Sequence, residues 1–209
     1  KRLRTSIHLS YNDKSVVIDT GPDFRYQLIR ENIHDVDAVL FTHEHRDHTA
    51  GLDDIRAINF NHNQKRVPVY CHDRVLKSLK DQFSYIFMEV PYPGIPLVDF
   101  NLIDNKPFTL FGEEIIPIEV MHYKLPVLGF RIGNFAYITD ANYISEEEMA
   151  KLVGVDVLVL NALRRTEHIS HFTLSEATEI AKGIGAKQTY FTHMSHQMGL
   201  HDEVCDELP

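Results

Sequence analysis

Thr42-His43-Glu44-His45-Arg46-Asp47-His48 is the stretch whose reading decides the fold. It follows Asp37-Ala-Val-Leu-Phe41, a short apolar run with polar flanks that reads as a buried strand. Four potential metal ligands, His43, His45, Asp47 and His48, therefore crowd into six residues directly after a strand. In extended chain, residues two apart point the same way, so His43 and His45 can converge on one ion. Asp47 and His48, past the bend, can turn to a second. Glu44 stands only at an intervening position. Gly51 follows, where a residue without a Cβ lets the backbone turn tightly behind such a site.

Working outward, Ser6 to Tyr11 and Ser15 to Asp19 flank Asn12-Asp13-Lys14 and read as a hairpin. After Gly21-Pro22, the spacing of Phe24, Leu28 and Ile29 predicts a helix to about Asn32. A strand is expected at Val67 to Tyr70 and a helix over Asp73 to Phe83, capped by that Asp, before Pro91, Pro93, Gly94 and Pro96 break regular structure. Further strands are expected at Ile115 to Val120, Gly129 to Ile132, Phe135 to Thr139, Val155 to Leu160 and Gln188 to Thr192. Ser145 and Thr173 are each followed three residues on by a glutamate, Glu148 and Glu176, which marks two helix starts, the second helix running to about Lys182. Strand groups separated by helices point to a layered α/β architecture without fixing its topology.

The composition narrows the chemistry. Thirteen histidines stand against two cysteines, Cys71 and Cys205, which lack the spacing of a zinc knuckle or redox pair and are expected to be reduced thiols, as in a cytoplasm. Imidazole serves zinc, manganese and iron sites alike. The formal charge of −9 disfavours a broad nucleic-acid footprint, because such binding draws on many lysines and arginines. A small anion captured locally is the expected partner, and a homodimer is left open. No apolar run approaches a membrane span, and Lys1 to Arg4 lead into a strand pattern rather than a signal peptide. At 209 residues the chain is expected to be one domain, 1–209.

His-x-His-x-Asp-His followed by a glycine resembles the signature of the metallo-β-lactamase superfamily, whose fold is an αββα sandwich of two mixed sheets flanked by helices, with a two-metal cleft. That resemblance implies three later ligands at strand ends, for which His122, Asp140 and His193 are the candidates. It assigns His43, His45 and His122 to one ion and Asp47, His48 and His193 to the other, with Asp140 bridging. The segments Gly51-Leu-Asp-Asp-Ile-Arg56, Leu160-Asn-Ala-Leu-Arg164, His171-Phe-Thr-Leu-Ser-Glu176 and Thr192-His-Met-Ser-His196 are further similar to the PhnP-type phosphodiesterases, which open cyclic ribose phosphates. The tRNA-processing endonuclease tRNase Z shares several of them.

From this resemblance we expect a phosphodiesterase acting on a small or cyclic nucleotide-like substrate, with two divalent ions, zinc or manganese and iron less so, activating a hydroxide. Asp47 and Asp140 would hold the ion pair, and His171 would protonate the leaving group, with His168 as the rival for that role. An RNA end-processing nuclease would need a basic arm that the sequence does not show. A thioester-hydrolysing or lactam-opening member of the fold stays open because the same hydroxide attacks carbonyls, and a metal-bound, non-hydrolytic protein using the fold for binding or redox chemistry is a separate alternative. Asp19 is expected to accept hydrogen bonds behind the metal loop rather than bind metal. His196 is a structural-zinc ligand in the related proteins, but the cysteines that accompany it there are absent, and both chain ends look cut relative to the family. Phe87, Tyr92, Pro93 and Pro96 could line the cleft, or could simply be packed.

Overall fold

The computed structural model describes residues 2–89 and 93–208, and the chain divides into two units, Lys1–Asp104 and Asn105–Pro209. Tyr92, one of the loop residues singled out above, lies outside the described residues.

In the first unit the order is β1 (Ile7–Tyr11), β2 (Lys14–Ile18), α1 (Phe24–Arg30), β3 (Ala38–Leu40), α2 (Arg46–Thr49), α3 (Ile55–Asn61), β4 (Val67–Cys71), α4 (Asp73–Gln82) and β5 (Val98–Leu102). These strands form a five-stranded sheet in the order β1-β2-β3-β4-β5, antiparallel only at the β1/β2 hairpin. The hairpin turns on Asn12 and Asp13, both at positive φ, the conformation these two residues tolerate best among those with a Cβ. All three residues of β3 are buried, as a strand covered on both faces requires. Phe24, Leu28, Leu52, Ile55, Val75 and Leu79 from the helical segments pack with Val17, Val39 and Val69 of the sheet and with Phe41 just after β3. Each large apolar side chain so buried contributes about 1.5–3 kcal/mol.

The second unit runs β6 (Phe108–Leu110), β7 (Glu113–His122), β8 (Leu125–Ile132), β9 (Phe135–Ile138), β10 (Tyr143–Ile144), α5 (Glu146–Ala150), β11 (Val157–Asn161), α6 (Leu174–Ile184), β12 (Gln188–Thr192) and α7 (His201–Cys205). Its sheet has the order β10-β7-β8-β9-β11-β12, with β6 also on β7. The strands β7, β8 and β9 alternate in direction, while β9, β11 and β12 are parallel. It follows that β7, β9, β11 and β12 all end on the same edge of this sheet. Ile118, Val120, Ile138, Leu158 and Leu160 pack with Leu152, Phe172, Leu174 and Ala177 beneath α5 and α6.

Helix starts follow the capping chemistry in the sequence with one correction. Thr173 makes a complete capping box with Glu176. Ser145 accepts from the Glu148 amide, but the Glu148 carboxylate turns to Asn105, Lys151 and the Glu119 amide. The α4 cap is His72, not Asp73: His72 has extended backbone angles and its Nδ1 accepts from the Arg74 amide, which places Asp73 inside the first turn beside Lys77. Both cysteines are free thiols, and burial pushes that of Cys71 up to about 12, with Asp73 adding to it. No helix among the described residues is long and apolar enough to cross a membrane.

Candidate functional site

In the first unit every expected ligand follows β3. The chain leaves the sheet at Phe41, and Thr42, His43 and His48 are buried while His45 is exposed. Asp19, fully buried at the end of β2 with φ 64°, faces this loop across the parallel β2/β3 pair. Its carboxylate accepts from the Thr42 amide at 2.9 Å, from Thr42 Oγ1 at 2.8 Å and from His48 Nδ1 at 2.8 Å.

Those bonds fix two tautomers. His48 spends its Nδ1 proton on Asp19, so its lone pair lies on Nε2, which is 3.7 Å from an Asp47 carboxylate oxygen. The Thr42 hydroxyl gives its proton to Asp19, so its oxygen accepts from His43 Nδ1 at 2.9 Å and leaves the His43 lone pair on Nε2 as well. His43 Nε2 and His45 Nδ1 stand 3.0 Å apart. Nitrogens sharing a tetrahedral zinc at about 2.0–2.1 Å would be separated by about 3.3 Å, so a small adjustment lets both face one ion. Glu44 is turned away to Arg74, at 2.7 Å.

Two glycines hold this loop in place. A Cβ on Gly21 would lie 2.3 Å from the Asp47 carbonyl, and one on Gly51 would lie 2.3 Å from the Gly21 carbonyl and 2.8 Å from Phe24 Cβ. The backbone approaches itself so closely that only glycine fits at either position. The rest of the Gly51–Arg56 segment is structural: Tyr85 donates to Asp53, and Arg56 reaches the Gly94 carbonyl. Phe87 stacks on Phe100 with ring centroids 5.0 Å apart, which makes it a packing residue. Pro93, with Asn59, Phe60 and Leu97, lines a cavity of about 200 Å³ to which no expected ligand contributes.

In the second unit the expected residues gather at the shared strand edge. His122 ends β7, Asp140 follows β9, His193 follows β12, and His171 precedes α6. Asp140 and His193 both have left-handed backbones, at φ 57° and 55°. Such conformations cost of order 1–3 kcal/mol in residues with a Cβ and persist where surrounding bonds impose them. His193 Nε2 lies 3.2 Å from Asp140 Oδ1, which also accepts from Thr139 Oγ1 at 2.7 Å. One ligand atom each from Asp140, His171 and His193 falls within 4.8 Å of the others. His122 gives its Nδ1 proton to the Ser170 carbonyl at 2.8 Å and so presents the Nε2 lone pair.

The His171 ring lies 4.6 Å from that of His122, 4.9 Å from His193 and 5.1 Å from His168. Burial drives its pKa down to about 3; Asp140 opposes the shift and the three imidazoles reinforce it. Its buried Nδ1 has no hydrogen-bond partner among the described residues, a deficit that a ligand would relieve. His168 is more open and accepts from the Ser170 amide. His196 is exposed and joins no cluster of potential ligands among the described residues.

Both sets carry donors of the kind a divalent cation takes. Imidazoles anchored through Nδ1 on a carboxylate, hydroxyl or carbonyl present Nε2 as the donor, and carboxylates stand beside them, as metal-binding histidines require. The sequence model of the Beta-lactamase superfamily domain matches residues 14–194. The chain belongs to the metallo-β-lactamase superfamily.

Within that superfamily it is PhnP-like: a solved diphosphatase of the PhnP family is 40% identical, with a TM-score of 0.91 over 100% of this chain and 80% of the other. The two mixed sheets with flanking helices are the metallo-β-lactamase fold. A Porphyromonas gingivalis protein named octanoyltransferase is 39% identical over the whole chain, which spans only 42% of that relative. The zinc-bound PqqB of Methylobacterium extorquens shares the fold, with a TM-score of 0.78 at 18% identity, over 99% of this chain and 83% of PqqB.

Sequence assigned no role to Thr42 or Ser170: Thr42 bonds Asp19 and His43, and the Ser170 carbonyl accepts from His122, through partners that tertiary structure supplies.

Proposed function

We propose that the chain is a metal-dependent hydrolase that cleaves a phosphate-ester or diphosphate bond in a small anionic substrate, a phosphodiester being the first class to test. One observation carries the reading: His43, His48 and His122 each spend the Nδ1 proton on a neighbouring oxygen, so three Nε2 lone pairs are prepared for cations. By the superfamily resemblance, His43, His45 and His122 would hold one ion and Asp47, His48 and His193 the other, with Asp140 serving both. Two such ions, when bound, supply an activated water and a clamp on the phosphoryl oxygens.

The residues divide the remaining work. Asp47 and Asp140 bring negative charge that offsets part of the repulsion between two cations while leaving net positive charge for an anionic substrate. His171, wedged against His122 and His193, is placed to act on the departing oxygen. Burial disfavours its charged form, so the proton it would deliver to the departing oxygen would be one that the attacking water gives up as it adds. The description of a 40%-identical relative as a diphosphatase supports phosphoryl chemistry. The octanoyltransferase name brings acyl chemistry into consideration, but it belongs to a protein more than twice as long as the part this chain matches.

The test is a substrate panel run on protein loaded with zinc, manganese or iron: an alkyl phosphodiester, a cyclic ribose phosphate, a dinucleoside diphosphate, a thioester, a lactam and a transfer-RNA precursor. Turnover of the phosphodiesters or the diphosphate, lost with chelator and in Asp140→Ala, is expected. Turnover confined to the thioester, the lactam or the RNA would overturn the substrate class, and full activity in Asp140→Ala would overturn its place between the ions.

A further inference from the structure

We infer that Asn161, together with Asn142, is a positioning residue that holds the Asp140 turn in its left-handed form and ties the His122 and His171 loops to it. The inference rests on the proposed role of Asp140 as a metal ligand and goes beyond it by naming what aims the carboxylate.

Asn161 is fully buried at the end of β11, beside β9 in the parallel ladder. The chain leaves that ladder at Ile138, and Asn161 takes over where the backbone pairing stops. Its Oδ1 accepts from the Ala141 amide at 2.8 Å, and its Nδ2 donates to the Ala141 carbonyl at 2.9 Å. A side-chain amide thereby replaces both bonds a strand neighbour would make, on the residue directly after Asp140. Only an amide carries a donor and an acceptor at that spacing; a carboxylate, a hydroxyl or an apolar isostere loses at least one. Two well-formed bonds at a fully buried site over-determine the turn, which is the condition for a left-handed non-glycine residue to persist.

The same tripeptide gathers the other loops. The Ala141 carbonyl also accepts from the Phe172 amide at 2.8 Å, next to His171. Asn142 Oδ1 accepts from the Tyr123 amide at 2.7 Å, next to His122, and its Nδ2 donates to the Ile169 carbonyl at 3.2 Å. Tyr123 is itself at φ 58°, unusual for an aromatic residue. Residues 140–142 are thus the hub through which three loops bearing candidate site residues are set relative to one another. Asn161 reaches no ligand atom itself, so its effect passes through Asp140.

The experiment compares Asn161→Asp, which keeps shape and acceptor but loses the donor to Ala141, with Asn142→Ala on the more open side of the hub. Asp140→Ala and the unaltered chain serve as references. Cobalt affinity by chelator competition and the visible spectrum of the cobalt-loaded protein are read beside the melting temperature of the metal-free form. We expect both variants to lose about 10–100-fold in cobalt affinity, the typical cost of removing an outer-shell partner, with an altered cobalt spectrum. A merely structural role would lower the melting temperature and leave affinity and spectrum of the folded fraction unchanged. Unaltered affinity and spectrum in Asn142→Ala and in folded Asn161→Asp, while Asp140→Ala loses metal, would overturn the positioning role and leave the metal reading standing. Full cobalt binding by Asp140→Ala would instead overturn the metal reading.

Discussion

Asp19→Asn is the substitution through which the architecture of the first unit can be probed most sharply. The side chain is fully buried and accepts three hydrogen bonds, one on Oδ1 from the Thr42 amide and two on Oδ2, from Thr42 Oγ1 and His48 Nδ1. An asparagine fills the same volume, but whichever way its amide is turned, an NH2 group faces at least one of these donors. With the NH2 in the Oδ2 position the Thr42 hydroxyl can rotate, while His48 must either strand its Nδ1 proton or move it to Nε2. Each stranded buried donor costs about 1–3 kcal/mol. One such loss lowers the melting temperature of a chain of this size by about 2–12 °C. The tautomer switch has the larger functional effect, because it removes the Nε2 lone pair on which the proposed ligand role depends. Metal affinity should therefore fall about 10–100-fold, as for other outer-shell partners of a metal-binding histidine. Calorimetry of the metal-free protein and chelator competition for cobalt measure the two effects separately. A variant that melts lower yet binds cobalt with unaltered affinity would refute the claim that Asp19 orients His48 for metal.

Three further outcomes are expected. Gly51→Ala places a Cβ 2.3 Å from the Gly21 carbonyl and should cost about 1–3 kcal/mol in a denaturant titration, whereas Gly183→Ala, in open space on α6, should stabilise by about 0.8–1 kcal/mol; equal effects would show that backbone crowding is not the cause. His171→Ala should keep its metals and lose about 10²–10⁴-fold on an alkyl or cyclic phosphodiester but much less on a nitrophenyl ester, whose leaving group needs no proton. If His168→Ala shows that selective loss instead, the acid is His168.

Local chemistry made much of this legible in the sequence. The candidate ligand motif after β3, the Asn12-Asp13 hairpin and the Thr173–Glu176 capping box each carry their signal within a few residues. Asp19 was readable as an acceptor behind the candidate metal loop because Asp19-Thr20-Gly21, at the end of a strand, resembles the family's Asp-x-Gly. What sequence did not reveal depends on register. Asn161 matters only because β9 and β11 pair in parallel and bring it to Ala141, 20 residues away. The two-residue strand Tyr143–Ile144 has no pattern of its own and exists because Met121 and Val120 lie opposite. The strand Val98–Leu102 has one buried residue and mixed exposure, so its alternation is too weak to read. The α4 start misled because aspartate is the commoner cap, whereas here the imidazole of His72 is the acceptor.

We propose, from the superfamily resemblance, that seven side chains, His43, His45, Asp47, His48, His122, Asp140 and His193, would hold two cations. Native mass spectrometry of protein saturated with zinc or manganese and freed of excess metal counts them directly. Two ions per chain, reduced in Asp140→Ala, are the predicted result; a folded, saturated chain carrying one ion or none would contradict it.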